Sequence, residues 1–84
     1  MTDAELITRF LSGQTTTFNT LVKRWERPIY NFILRYVGNC EEARDLSQQT
    51  FIRAYKSLKR LRDPEKFSTW LYQIALNTCR DAAR

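Results

Sequence analysis

From Phe18 to Tyr36, apolar side chains return every three or four residues: Phe18, Leu21, Val22, Trp25, Ile29, Phe32, Ile33 and Tyr36. A run of that length has the period of an amphipathic helix and not of a strand, so the chain must fold around one long helix with a wide buried face. The opposite side carries Arg24, Arg27, Asn31 and Arg35. Pro28 falls inside the run, where it removes a backbone donor and crowds the preceding turn, at about 3 kcal/mol in an ordinary helix interior. Because the apolar phase is unbroken across Pro28, the expectation is one helix kinked there and not two helices.

Three further helices frame it, and no stretch alternates as a strand would. Thr2-Asp3-Ala4-Glu5 has the spacing of a capping box, which predicts a short first helix reaching Ser12, with Leu6, Ile7, Phe10 and Leu11 on its inner stripe and Gly13 past its end. Thr15-Thr16-Thr17 is the expected cap of the long helix, and Gly38-Asn39 ends it. Asn39 with Glu42 three residues on then opens a third helix over about residues 40–58, pointing Ala43, Leu46, Thr50, Ala54 and Leu58 inward. A charged connector from Lys59 to Lys66 follows, in which Asp63-Pro64 reads as a cap and first-turn pair, with Ser68 as the later alternative. The fourth helix is expected to bury Phe67, Trp70, Leu71, Ile74 and Thr78. Its pattern runs to Ala82-Ala83-Arg84 with no glycine or proline to stop it, the look of a cut inside a longer protein. The fold class is therefore all-α, a bundle of about four helices forming one domain over residues 1–84.

Composition narrows the function classes. With 84 residues, 43% hydrophobic, the chain sits near the lower size at which a core suffices without metal or disulfide. There is no histidine, and only Cys40 and Cys79; a four-ligand zinc site cannot be assembled from that set, and reduced thiols are the expected state. Without histidine or paired carboxylates, acid–base catalysis has no obvious machinery, and no enzyme and no cofactor is expected. The acidic N-terminus lacks the apolar run of a signal peptide, and no segment approaches the ~20 apolar residues of a membrane span, so a cytoplasmic protein without membrane insertion is expected. The net charge of +5 is uneven, −1 over the first twenty residues and +3 over the next twenty, which favours nucleic acid or an acidic partner.

Two surfaces stand out. On the third helix Asp45, Gln48, Ile52 and Tyr55 share one stripe, flanked by Gln49 and Phe51. Apolar anchors among polar groups fit a protein-docking face, although Phe51 and Tyr55 would equally fit a wide core. The second surface joins Lys56, Lys59, Arg60 and Arg62 to Tyr72, Gln73, Leu76, Asn77 and Arg80 on the outer face of the fourth helix. Basic groups interleaved with flat rings are what single-stranded nucleic acid requires. Trp70 keeps the phase of Phe67 and Ile74, which favours core over stacking platform.

Asp45-Leu46-Ser47-Gln48-Gln49 is similar to the Asp-Leu-x-Gln-Glu motif of bacterial RNA polymerase sigma factors, and Phe67-Ser68-Thr69-Trp70-Leu71-Tyr72-x-Ile74-Ala75-x-Asn77 resembles the region-two sequence of their extracytoplasmic-function (ECF) group. The resemblance covers nearly the whole chain. It implies a transcription-initiation domain, the N-terminal part of a longer sigma factor, that docks on the β′ clamp coiled coil of core RNA polymerase through Asp45, Gln48, Gln49, Phe51, Ile52 and Tyr55. Gln49 departs from the commoner Glu of that motif. The resemblance further implies recognition of the −10 promoter element, with a base of the non-template strand held in a pocket shaped by Leu61, Arg62, Asp63 and Phe67. Lys56, Lys59, Arg60, Ser68, Tyr72, Gln73, Asn77 and Arg80 are the other candidate DNA-binding residues, and an anti-sigma factor is a further candidate partner. The rival reading is a helical protein-interaction module that does not read DNA.

Overall fold

Thr2 begins the first element as its sequence requires. Its hydroxyl accepts from the Glu5 N–H and the Glu5 carboxylate accepts from the Thr2 N–H, both at 3.1 Å. That second bond, more than any other contact, holds the Glu5 carboxyl below its ordinary pKa. In the computed structural model, which describes residues 1–84, α1 spans Asp3–Leu11, α2 Thr17–Val37, α3 Cys40–Ser57 and α4 Phe67–Ala82. Two 3₁₀ turns, Leu58–Arg60 and Pro64–Lys66, carry the chain from α3 to α4. The all-α expectation holds.

The long helix α2 is the spine. It passes through Pro28 as a single element, and α1, α3 and α4 all pack against it. Leu21, Ile29 and Ile33 are fully buried along its inner stripe, with Phe18 nearly so. Gly38 ends it in the left-handed region at φ 74°, where its N–H donates to the Leu34 carbonyl at 2.8 Å, a conformation that costs glycine little. Asn39 then caps α3 by accepting from the Glu42 N–H at 2.9 Å.

The core faces of α3 and α4 contain hydroxyls as well as carbon. Ser47 donates to the Ala43 carbonyl, Thr50 to Leu46 and Thr78 to Ile74, at 2.7–2.8 Å. Each buried O–H thus finds an acceptor one turn back on its own helix, and no buried side-chain polar atom lacks a partner.

Several details differ from expectation. Thr16 stands at the start of α2 in a helical conformation without a side-chain cap. Thr17 instead donates its hydroxyl to the carbonyls of Leu6 (3.0 Å) and Gln14 (2.9 Å), so the threonine tract ties α2 to α1. Leu11 and Tyr36, the outermost members of their stripes, are exposed. Asp63 accepts from the Glu65 N–H and opens the Pro64–Lys66 turn, which leads directly into α4; Ser68 lies inside α4 and caps nothing. The buried face of α4 is rotated from the expected one. Phe67, Leu71, Ala75, Thr78 and Cys79 are inside, while Trp70 and Ile74 sit half-buried at its margin.

Candidate functional site

The outer face of α3 presents Asp45, Gln48, Gln49, Ile52 and Tyr55 to solvent, with Phe51 half-buried beside them. Gln49 donates its amide to Asp45 at 2.9 Å, one turn apart, which fixes both polar groups on the helix surface. Ile52 is 54% exposed and Tyr55 47%, large values for apolar side chains at the middle of an element. Tyr55 is nonetheless held: its ring meets Phe10 (5.4 Å) and Phe18 (5.2 Å) edge to face. Tyr55 is therefore packed on one side and open to solvent on the other. Between α2 and α3 lies a groove of about 740 Å³, walled by Val22, Tyr30, Phe51 and Ile52 with Gln48 and Arg44 at its margins. Tyr30 was not among the residues expected here. Its signal was the four-residue step Val22, Glu26, Tyr30, a second stripe adjoining the core stripe of α2.

The connector and α4 form a separate surface. Lys56, Lys59, Arg60, Arg62 and Asp63 are exposed and Leu61 is half-buried. The chain's two ion pairs are Arg24–Asp3 and Arg53–Asp81, so none of the connector cations is neutralised by a carboxylate. Gln73, Asn77 and Arg80 project from α4, with the Gln73 amide donating to Asn77 at 3.2 Å; Ser68 and Leu76 are half-buried.

Where α4 packs on α2, five aromatic rings are grouped. Trp25 lies 6.4 Å from Phe67 and 6.2 Å from Tyr72, Phe32 lies 5.2 Å from Tyr72, and Phe67 lies 5.9 Å from Trp70. Phe67 is only 1% exposed, so it forms the floor of the region and does not itself face solvent. Tyr72 does not stand free on the outer face as its phase on α4 suggested; its ring is wedged edge-on between Trp25 and Phe32 and is half-buried. Trp70 is intermediate too, one side on Phe67 and the other toward solvent. A second groove, about 410 Å³, runs from Tyr72 along α2 between Arg27, Asn31 and Arg35. The four-residue spacing of those three was visible in the sequence, but nothing there joined them to α4.

The geometry thus separates a mixed apolar and polar face on α3 from a cationic connector that leads into an aromatic cluster shared by α4 and α2. No three side chains of metal-ligating type gather anywhere, and no helix is long and apolar enough to cross a membrane. The Sigma-70 region 2 family model matches residues 21–84. The chain belongs to that family. Over 79 residues it is 38% identical to the RNA polymerase sigma-H factor of Pseudomonas aeruginosa, covering 94% of this chain and 41% of that protein. Over 81 residues it is 37% identical to the ECF RNA polymerase sigma-E factors of Haemophilus influenzae and Escherichia coli, covering 96% of this chain and 42% of each. The chain therefore spans about two fifths of the length of these relatives, and the names of the sigma-E factors bear out the resemblance to the ECF group. An NMR structure of an engineered region 2 of sigmaE in complex with GTAAAA superposes with a TM-score of 0.90 at 38% identity, covering 99% of this chain and 86% of that one.

Proposed function

We propose that this chain is a transcription-initiation domain that works by binding, without covalent chemistry, beside RNA polymerase in the cell interior. Asp45, Gln48, Gln49, Phe51, Ile52 and Tyr55 dock on the β′ clamp coiled coil. The connector and α4 take up the non-template strand of the −10 element. The observation that carries this reading is the match over 99% of the chain to a region 2 solved with GTAAAA. The unpaired cations Lys59, Arg60 and Arg62 support it, as phosphate partners along a single strand.

Division of labour follows from the chemistry of each face. The α3 groove offers apolar anchors and few net charges, which suits a helical protein partner; an anti-sigma factor would compete for the same surface. The α4 face offers charge for a backbone and a ring-lined floor for a base. Leu61, Arg62 and Asp63 form the wall of the base pocket, with Phe67 beneath. Lys56, Ser68, Tyr72, Gln73, Asn77 and Arg80 line the path of the strand.

The test is titration of the chain with a −10 non-template oligonucleotide and a scrambled strand, with and without a β′ clamp fragment. Preference for the −10 strand, strengthened by the clamp fragment, is the expected result. Clamp binding with equal affinity for both strands would leave the rival, a helical protein-interaction module that does not read DNA.

A further inference from the structure

Arg24 and Trp25, adjacent on α2, converge on one carboxylate. Arg24 donates Nη1–H to Oδ1 of Asp3 at 2.7 Å and Nη2–H to the Met1 carbonyl at 2.8 Å, while Trp25 donates Nε1–H to the other oxygen, Oδ2 of Asp3, at 3.0 Å. The Asp3 side chain is 23% exposed, well covered for the first residue of a surface helix. Its charge strengthens both bonds, and each donor has an oxygen to itself.

Nothing in the two faces described above uses Asp3, yet it reaches the second of them by two routes. The indole it holds stands edge-on to Phe67 and Tyr72. Phe67 is the first residue of α4 and follows the connector immediately, so a shift of the indole moves the floor where connector meets helix. The helix bearing Asp3 also packs directly on the Pro64–Lys66 turn, with Thr2, Glu5 and Arg9 facing Pro64 and Glu65 across a shallow cleft. The side chains that shape a site keep their places only as well as the groups behind them.

We propose that Asp3 is a positioning residue for base recognition: by fixing the Trp25 indole it sets Phe67 and Tyr72, and with them the shape of the pocket that receives the extruded base. This rests on the reading of α4 and the connector as the strand-binding face. The first helix is then part of the reading apparatus and not only a brace for the bundle.

The test uses the 84-residue chain with the clamp fragment present, below the melting temperature of every variant, and reads the ratio of affinities for the −10 strand and a scrambled strand. Asp3→Ala removes the acceptor; Trp25→Phe keeps a ring but removes the donor. Each is expected to lower the ratio about fivefold, the net worth of one hydrogen bond, with affinity for the scrambled strand unchanged. The double variant should be no worse than either single, because both break the same link. Asp3→Asn, whose amide oxygen still accepts the indole proton, should restore most of the ratio, and Arg24→Gln, which leaves the indole bond in place, should lower the melting temperature without changing the ratio. An unchanged ratio in both Asp3→Ala and Trp25→Phe, or an equal loss for both strands, would reduce α1 to a brace. Should Asp3→Ala fail to fold, Trp25→Phe decides alone. If the unaltered chain shows no preference between strands, base reading itself fails and this inference falls with it, a result seen before any variant is made.

Discussion

Tyr55 is nearly half exposed, yet two aromatic rings hold it in place, so its removal is expected to act twice. Edge-to-face pairs contribute about 0.5–1.5 kcal/mol each beyond buried area, and Tyr55→Ala should lower stability by about 1–2 kcal/mol as well as weaken docking. Gln48→Ala and Ile52→Ala lack that complication because both side chains project into solvent. They should leave the melting temperature within a degree or two and weaken clamp binding by about 1–2 kcal/mol, the range of a central interface residue. Thermal melts beside clamp titrations separate the effects; wild-type binding in both variants would move the docking face elsewhere. Trp70 is a different case. Complete removal of a buried aromatic costs about 3–5 kcal/mol, and Phe67→Ala should show it. Trp70 gives only one side to Phe67, so Trp70→Ala should cost less, about 1–3 kcal/mol, and also lower single-strand affinity. A full-sized stability loss with unchanged strand binding would make it plain core.

At the scale of elements, helix starts were legible wherever a side chain caps within three residues. Thr2, Asn39 and Asp63 all do so, and each was visible in the sequence for the same local reason. The threonine tract before α2 was misread because its hydroxyl partner, the Leu6 carbonyl, is eleven residues away. Periodicity likewise gave the inner faces of α2 and α3 but set α4 slightly out of rotation, since helical period alone cannot say which flank of an apolar stripe meets the spine. The true rotation buries Cys79, and burial above all, with Glu42 adding, raises its thiol pKa. The sign follows from proton counting. Between the unfolded and folded pKa values the folded chain holds the extra proton, so stability is unaffected at neutral pH and falls as pH rises above about 8.5, where an unfolded cysteine ionises. Denaturant melts between pH 7 and pH 10 should show that alkaline decline, and Cys79→Ala should flatten it whatever its effect at neutral pH. An unaltered slope would assign the decline to another group. Tyr30, whose pKa is raised too with Cys40 the chief cause, would act only above about pH 10, where an unfolded tyrosine ionises.

For the molecule as a whole, the two faces must cooperate because neither has enough energy alone. Opening about five base-pair steps costs roughly 7 kcal/mol at ~1.4 kcal/mol each. Stacking two extruded bases returns only about 2–6 kcal/mol. This chain by itself is therefore expected to bind a −10 single strand and to leave the corresponding duplex closed, with anchoring on polymerase supplying the difference. The aromatic floor that would receive those bases was the least legible part of the sequence: Trp25, Phe32, Phe67 and Tyr72 come from two helices, and only the packing of α4 on α2 brings them together. The connector cations were legible at once, being gathered within four residues, and they yield the sharpest test. Lys59, Arg60 and Arg62 have no carboxylate partner, so any phosphate they meet releases counterions without first breaking an ion pair. Each such contact should contribute about −0.7 to the log–log slope of affinity against salt. Lys59→Ala or Arg60→Ala should flatten the slope by about that amount while leaving the ratio between −10 and scrambled strands intact, because phosphates carry no sequence information. Leu61→Ala, in the wall of the pocket, should do the reverse, eroding the ratio at constant slope. If the connector variants change the ratio and the wall variant changes the slope, backbone and base contacts have been assigned to the wrong residues.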